Sequence, residues 1–146
     1  MKVSTKGEYG VRALIELAHR YGEGAVQSAE IATRQKIPET YLDQLLTTLR
    51  RAGIIRSVRG PQGGHALIRA PREVKLSEAM LALEGTIAPS ACVDDPEVCS
   101  KDGRCVQREV WVRVRDATHE ILESVSIADL AAKDKEYQHS GGRYHI

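Results

Sequence analysis

No stretch of this chain runs apolar for about 18 residues, so nothing in it reads as a membrane span. Its opening residues, MKVSTKGEYG, lack the apolar core of a signal peptide. Neither an internal repeat nor a low-complexity tract interrupts the 146 residues. Nucleophile–base patterns and nucleotide-binding loops are lacking too, and the histidines are scattered, which argues against an enzyme. Cysteine is scarce: all three lie within residues 92–105. These absences point to a cytoplasmic protein long enough to bury a core. Thiols stay reduced in that compartment, so three clustered cysteines, an odd number, suggest metal or redox chemistry rather than disulfides.

What is present is lopsided in charge. Residues 1–75 carry 13 lysines and arginines against 7 acids, whereas residues 76–146 carry 8 against 13. A basic first half joined to an acidic second half suggests a module for a polyanion followed by something else. Ordinary surface charge would look the same, so the apolar periodicity carries more weight.

Val11, Leu14, Ile15, Leu17 and Ala18 recur three and four residues apart. They predict a first helix over 5–21, with Thr5 and Glu8 as a capping box. Ser28 is placed to cap a short second helix that carries Ile31 and Ala32 inward. A turn at Lys36, Ile37 and Pro38 follows, because proline disfavours a helical conformation at the residue before it. A third helix then buries Leu42, Leu45, Leu46 and Leu49 and closes at Gly53. Short helix, turn and longer helix form the outline of a helix-turn-helix. Residues 54–58 and 65–68 read as two strands around the turn RGPQGG. A hairpin in that place makes the unit a winged helix.

Further along, Ser77 is placed to cap a helix ending at Gly85, and Ser126 a last short helix reaching Leu130. Between them, residues 106–124 predict a long helix. Val110, Val114, Ala117 and Ile121 form one stripe on it, with Trp111 alongside. The remaining chain offers little apolar surface to cover that stripe, which favours a dimer seam over an internal core face. The predicted architecture is mainly α with a small β wing. It comprises a winged helix-turn-helix over 1–75, a cysteine loop and dimerisation helices over 76–135, and a flexible tail over 136–146.

In a helix-turn-helix the second helix enters the major groove of DNA. Thr40, Tyr41, Asp43, Gln44 and Thr47 lie on the exposed side of that helix. Glutamine can pair with adenine, aspartate can accept from cytosine, and threonine can meet either edge. Arg50, Arg51 and Arg56 suit phosphates, which set register and salt dependence. Arg59, between a strand and a glycine-rich turn that includes Gly60 and Gln62, suits a narrow minor groove. His65 next to that turn reads as a strand residue rather than a ligand.

The cysteines Cys92, Cys99 and Cys105 follow the spacing C-x6-C-x5-C. Structural zinc sites usually pair ligands two to four residues apart, and six and five are long for that. A loop that wraps an iron–sulfur core needs more reach and offers thiolates. Spacing alone favours iron–sulfur while leaving zinc and a metal-free thiol sensor open.

Four segments, in order, resemble one family: STKGEYGVRALIELA, the PETYLDQLL helix, SVRGPQGGHAL and the three-cysteine loop. Over about residues 1–130 they look like the IscR, NsrR and RirA winged-helix regulators, with the IscR-like branch the best fit. The resemblance implies a homodimer on a pseudo-palindromic double-stranded operator, with the long helices as its interface. It also implies base reading by Thr40, Asp43 and Gln44, minor-groove entry by Arg59, and an iron–sulfur cluster in each protomer. A two-iron core is favoured, and a four-iron core is compatible. The IscR pattern has a histidine three residues after the last cysteine, where this chain has Arg108, which cannot ligate. NsrR-like members supply a carboxylate from the position of Glu8 in the partner subunit, which makes Glu8 the candidate fourth ligand. Solvent or a small molecule is one alternative, and another residue of the chain a further one, although Gln107 is a poor ligand and His119 lies about four helical turns away. A cluster-free regulator sensing a thiol modifier or metabolite is the competing reading, and an electron-transfer protein a remote one.

Overall fold

The computed structural model describes residues 2–98 and 104–144. Among these residues, seven α-helices and one hairpin follow in order: α1 (Thr5–His19), α2 (Ser28–Gln35), α3 (Glu39–Arg51), β1 (Ile55–Val58), β2 (Gly64–Leu67), α4 (Leu76–Glu84), α5 (Ala91–Asp94), α6 (Val106–Glu123) and α7 (Ile127–Tyr144). The fold is mainly helical with a two-stranded wing, as predicted. β1 and β2 pair antiparallel from Ile55 opposite Leu67 to Val58 opposite Gly64. Val26 adds a bridge to His65 on the outer side of β2, with both backbone bonds at 2.8 Å.

α3 buries the four leucines that the periodicity assigned, Leu42, Leu45, Leu46 and Leu49, each at most 1% exposed. They meet Ala13, Leu14 and Leu17 of α1, Ile31 of α2, and Ile54, Ile55 and Leu67 from the wing. The same core continues past residue 75, taking in Ala79 and Leu83 of α4 and Ile127 of α7. Backbone bonds from Leu76 N–H to Val125 O and from Ile127 N–H to Val74 O tie the starts of α4 and α7 together.

Three predicted caps fall elsewhere. Ser4, not Thr5, caps α1, its hydroxyl accepting the Gly7 N–H at 3.2 Å. The carboxylate of the predicted box comes from α4 instead of Glu8. Ser4 donates its N–H (3.0 Å) and its O–H (2.6 Å) to Oε1 of Glu84. Ser28 and Ser77 lie inside their helices, where they serve tertiary contacts. Ser28 Oγ is 3.0 Å from the His65 ring, and the buried Ser77 hydroxyl donates to Glu123. Ser126 does cap α7, in a reciprocal pair with Asp129. Two hydrogen bonds from Ser126 hold the Asp129 carboxyl below its usual range.

The last helix runs through Tyr144 rather than stopping at Leu130, so the predicted tail over 136–146 is helical over its described part. Pairs four residues apart extend it: Gln138 donates to Asp134 at 2.9 Å, and Lys133 lies 5.8 Å from the Tyr137 ring. Asp134 also reaches back to His19 of α1 at 2.8 Å.

Candidate nucleic-acid interface and metal centre

α3 and the wing form one surface. Thr40, Asp43 and Gln44 are exposed on α3, opposite its buried leucines. Thr47 is half-exposed, with its hydroxyl donating to the Asp43 carbonyl at 2.9 Å. Tyr41 is withdrawn by comparison. Its ring packs edge-on against Tyr9 of α1, centroids 5.8 Å apart, and Arg12 sits 5.3 Å from the Tyr9 ring. Tyr9 and Arg12 thus support the N-terminal end of α3, a role that the sequence pattern did not reveal. Arg50 and Arg51 are exposed in the last turn of α3, and Arg56 is exposed on β1.

The wing tip holds Arg59, Gly60 and Gln62, all exposed. Its shape depends on glycine. Gly60 has φ 105°, and its carbonyl accepts the Gly63 N–H at 2.9 Å. A Cβ on Gly63 would stand 2.2 Å from the Val58 carbonyl oxygen. Beneath the tip, His65 is gripped on both sides: Nε2 lies 3.0 Å from Ser28 Oγ and Nδ1 3.0 Å from Ser57 Oγ. Burial pushes its pKa down; Arg50 acts in the same direction and Asp43 opposes. His65 is therefore a neutral peg between α2 and the wing, a strand residue with a second task.

The cysteine loop lies between α4 and α6. Cys92 is half-buried on α5, with Ser90 Oγ 3.3 Å from its sulfur. Cys105 is half-buried in the cap position before α6. Cys99 lies outside the described residues. Arg108, the residue that cannot ligate, donates from Nε to the Cys92 carbonyl at 3.1 Å. Glu8 is exposed in the first turn of α1, relieved of capping duty by Glu84. His119 lines a cleft of about 510 Å³ with Glu78, Leu81 and Glu123.

Among the described residues no three side chains of metal-binding type stand together, and only Cys92 and Cys105 offer the kind of donor that an iron–sulfur core takes. Both described thiols are unpaired and partly accessible, and thiolates are the usual ligands of such cores.

α6 has no buried residue. Val110 is 49% exposed, Trp111 37%, Val114 37% and Ile121 66%, with Ala117 exposed among them. The predicted stripe is thus uncovered in the single chain.

A family model described as Rrf2, iron-dependent transcriptional regulator, matches residues 3–133. The HTH-type transcriptional regulator CymR of Bacillus subtilis is 40% identical over 132 residues, 90% of this chain and 91% of the relative. The regulator IscR of Aliivibrio salmonicida is 34% identical over 146 residues, 100% of this chain and 86% of the relative. Among solved structures, CymR, the global cysteine regulator of B. subtilis, superposes with a TM-score of 0.77 at 38% identity. It covers 91% of this chain and 98% of that one. IscR of T. potens gives a TM-score of 0.77 at 40% identity, covering 94% and 91%.

Proposed function

The chain belongs to the Rrf2 family of transcriptional regulators, and from that premise we propose that it binds a specific DNA operator as a homodimer under the control of an iron–sulfur cluster. The observation that carries the DNA reading is the joint surface of α3 and the wing. Hydrogen-bonding side chains Thr40, Asp43 and Gln44 face outward there beside an exposed Arg59. With α3 in the major groove, Gln44 pairs with adenine and Asp43 accepts from cytosine. Arg50, Arg51 and Arg56 neutralise phosphates, while Arg59 enters the minor groove. The α6 stripe joins two protomers, so two copies of α3 meet two half-sites of a pseudo-palindrome.

Cys92, Cys99 and Cys105 would hold the cluster, with Glu8 of the other protomer as the fourth ligand. When bound, such a cluster supplies an exchangeable centre that responds to iron, oxygen or nitric oxide. The protein's contribution is to link that loop to α6 and hence to the spacing of the two reading helices. A coupling of about 1.4 kcal/mol between loop and operator changes affinity tenfold. The likeness to the global cysteine regulator of B. subtilis favours a second reading, in which the same loop senses a thiol or metabolite without a cluster.

Anaerobic purification with iron and sulfide analysis, run beside operator binding of both forms, separates the two. The cluster reading expects stoichiometric iron and sulfide and an operator affinity that changes on their removal. A colourless chain whose binding ignores added iron and sulfide supports the second reading. Glu8→Ala with unchanged cluster spectra and lifetime would remove the carboxylate ligand from the scheme.

A further inference from the structure

Arg108 occupies the position at which the IscR pattern has a histidine, and its side chain is put to a different use. Nε donates to the carbonyl of Cys92 at 3.1 Å. One α-helical heptad further along α6, Arg115 donates from Nη1 to the carbonyl of the next residue, Val93, at 3.3 Å. Both carbonyls lie in the four-residue helix α5, whose last carbonyls have no partner within so short a helix. The other flank of α5 is held as well. Thr86, two residues beyond α4, donates its hydroxyl to Asp94, and Val93 is 3% exposed. Cys105, in the cap position of α6, rides on the same helix.

We infer that Arg108 is a positioning residue: with Arg115 it docks α5 on α6, so that Cys92 is held against the proposed dimer helix before any metal arrives. Guanidinium groups suit this task because they stay charged and offer several donors in a fixed plane. Hydrogen bonds from a charged donor to a carbonyl are stronger than neutral ones. A change at Cys92 then reaches α6 through two side chains rather than through the loop alone. The inference deepens the proposed control of the loop, but its docking half needs no cluster.

The test uses the full chain, reduced and metal-free. Amide hydrogen exchange is followed at Val93 and Asp95, whose N–H groups bond to Ser90 O and Ala91 O. Arg108→Ala is expected to speed exchange there about tenfold, the factor that about 1.4 kcal/mol gives. Exchange in α3 and α6 should stay as in the parent. Arg115→Ala should act in the same direction, Arg108→Lys should recover part of the protection, and Arg113→Ala, which removes an exposed charge from α6, should do nothing.

Unchanged exchange in Arg108→Ala overturns the inference, as does equal acceleration in all helices. Titration with cobalt(II), read by its thiolate charge-transfer absorbance, tests the second half. Arg108→Ala should weaken cobalt binding about tenfold. Faster exchange with unchanged cobalt affinity would deny that docking prepares Cys92 for metal. A parent chain that takes up no cobalt counts against the metal reading, while the exchange arm still decides the docking.

Discussion

His65 shows how one side chain can tie the wing to the body. Both ring nitrogens face serine hydroxyls, one from α2 and one from β1, and burial lowers the pKa. The folded state thus refuses a proton that the unfolded chain accepts at its ordinary value of about 6.5. Its stabilising contribution is complete above that value and declines as pH falls below it, down to the lower folded pKa. Thermal unfolding followed from pH 7.5 to pH 5 should therefore show a falling midpoint. In His65→Gln that acid-dependent drop should shrink, whereas the midpoint at pH 7.5 should already be lower. An identical slope in both proteins would acquit His65. Glu84 offers a second case. It accepts two hydrogen bonds from Ser4, 80 positions away. Ser4→Ala removes the cap and one of those bonds, and urea unfolding should register a loss of about 1–2 kcal/mol.

Among the elements, α1 and α3 set the reading surface in different ways. α1 approaches α4 through glycines. A Cβ on Gly10 would stand 2.4 Å from Leu83 Cδ2, and one on Gly7 2.2 Å from Glu84 Oε1. Gly10→Ala should consequently destabilise the fold by about 1–3 kcal/mol despite its better helix propensity, again by urea unfolding. On the proposed DNA reading, α3 would separate specificity from affinity along its length. Gln44→Ala should cost about 1–3 kcal/mol on the operator and relax preference at one base position. Arg50→Ala should weaken binding to all sequences alike and lower the salt slope by about 1. Fluorescence anisotropy over a series of salt concentrations distinguishes the two. The leucine face of α3 was legible in the sequence because period 3.6 is a local signal. The support that Tyr9 and Arg12 give it through Tyr41 was not, since those contacts join helices with no pattern in common.

For the molecule as a whole, α6 is the decisive element. Its apolar stripe is exposed in the single chain, while the core of the body is complete without it. Val114→Glu and Ile121→Glu should therefore leave the helical circular dichroism intact and yield a monomer by sedimentation velocity. Operator affinity should fall as the dimer is lost, because on the proposed reading one protomer alone would hold only one half-site. A dimeric Ile121→Glu variant would place the interface elsewhere.

The amino-acid sequence by itself determined the helix faces, the wing turn and the cysteine spacing. Each depends on residues within a few positions of one another, where sterics and periodicity act directly. What only the tertiary structure decided are the partners brought from afar. Glu84 completes the cap of Ser4, Ser28 turns from capping to holding His65, and Arg108 binds the backbone of Cys92. A polar side chain finds its partner in space, and spacing along the chain carries no record of which helix will pack beside it. The extension of α7 to Tyr144 belongs with these, because Asp134 gains His19 only once α1 and α7 are packed together.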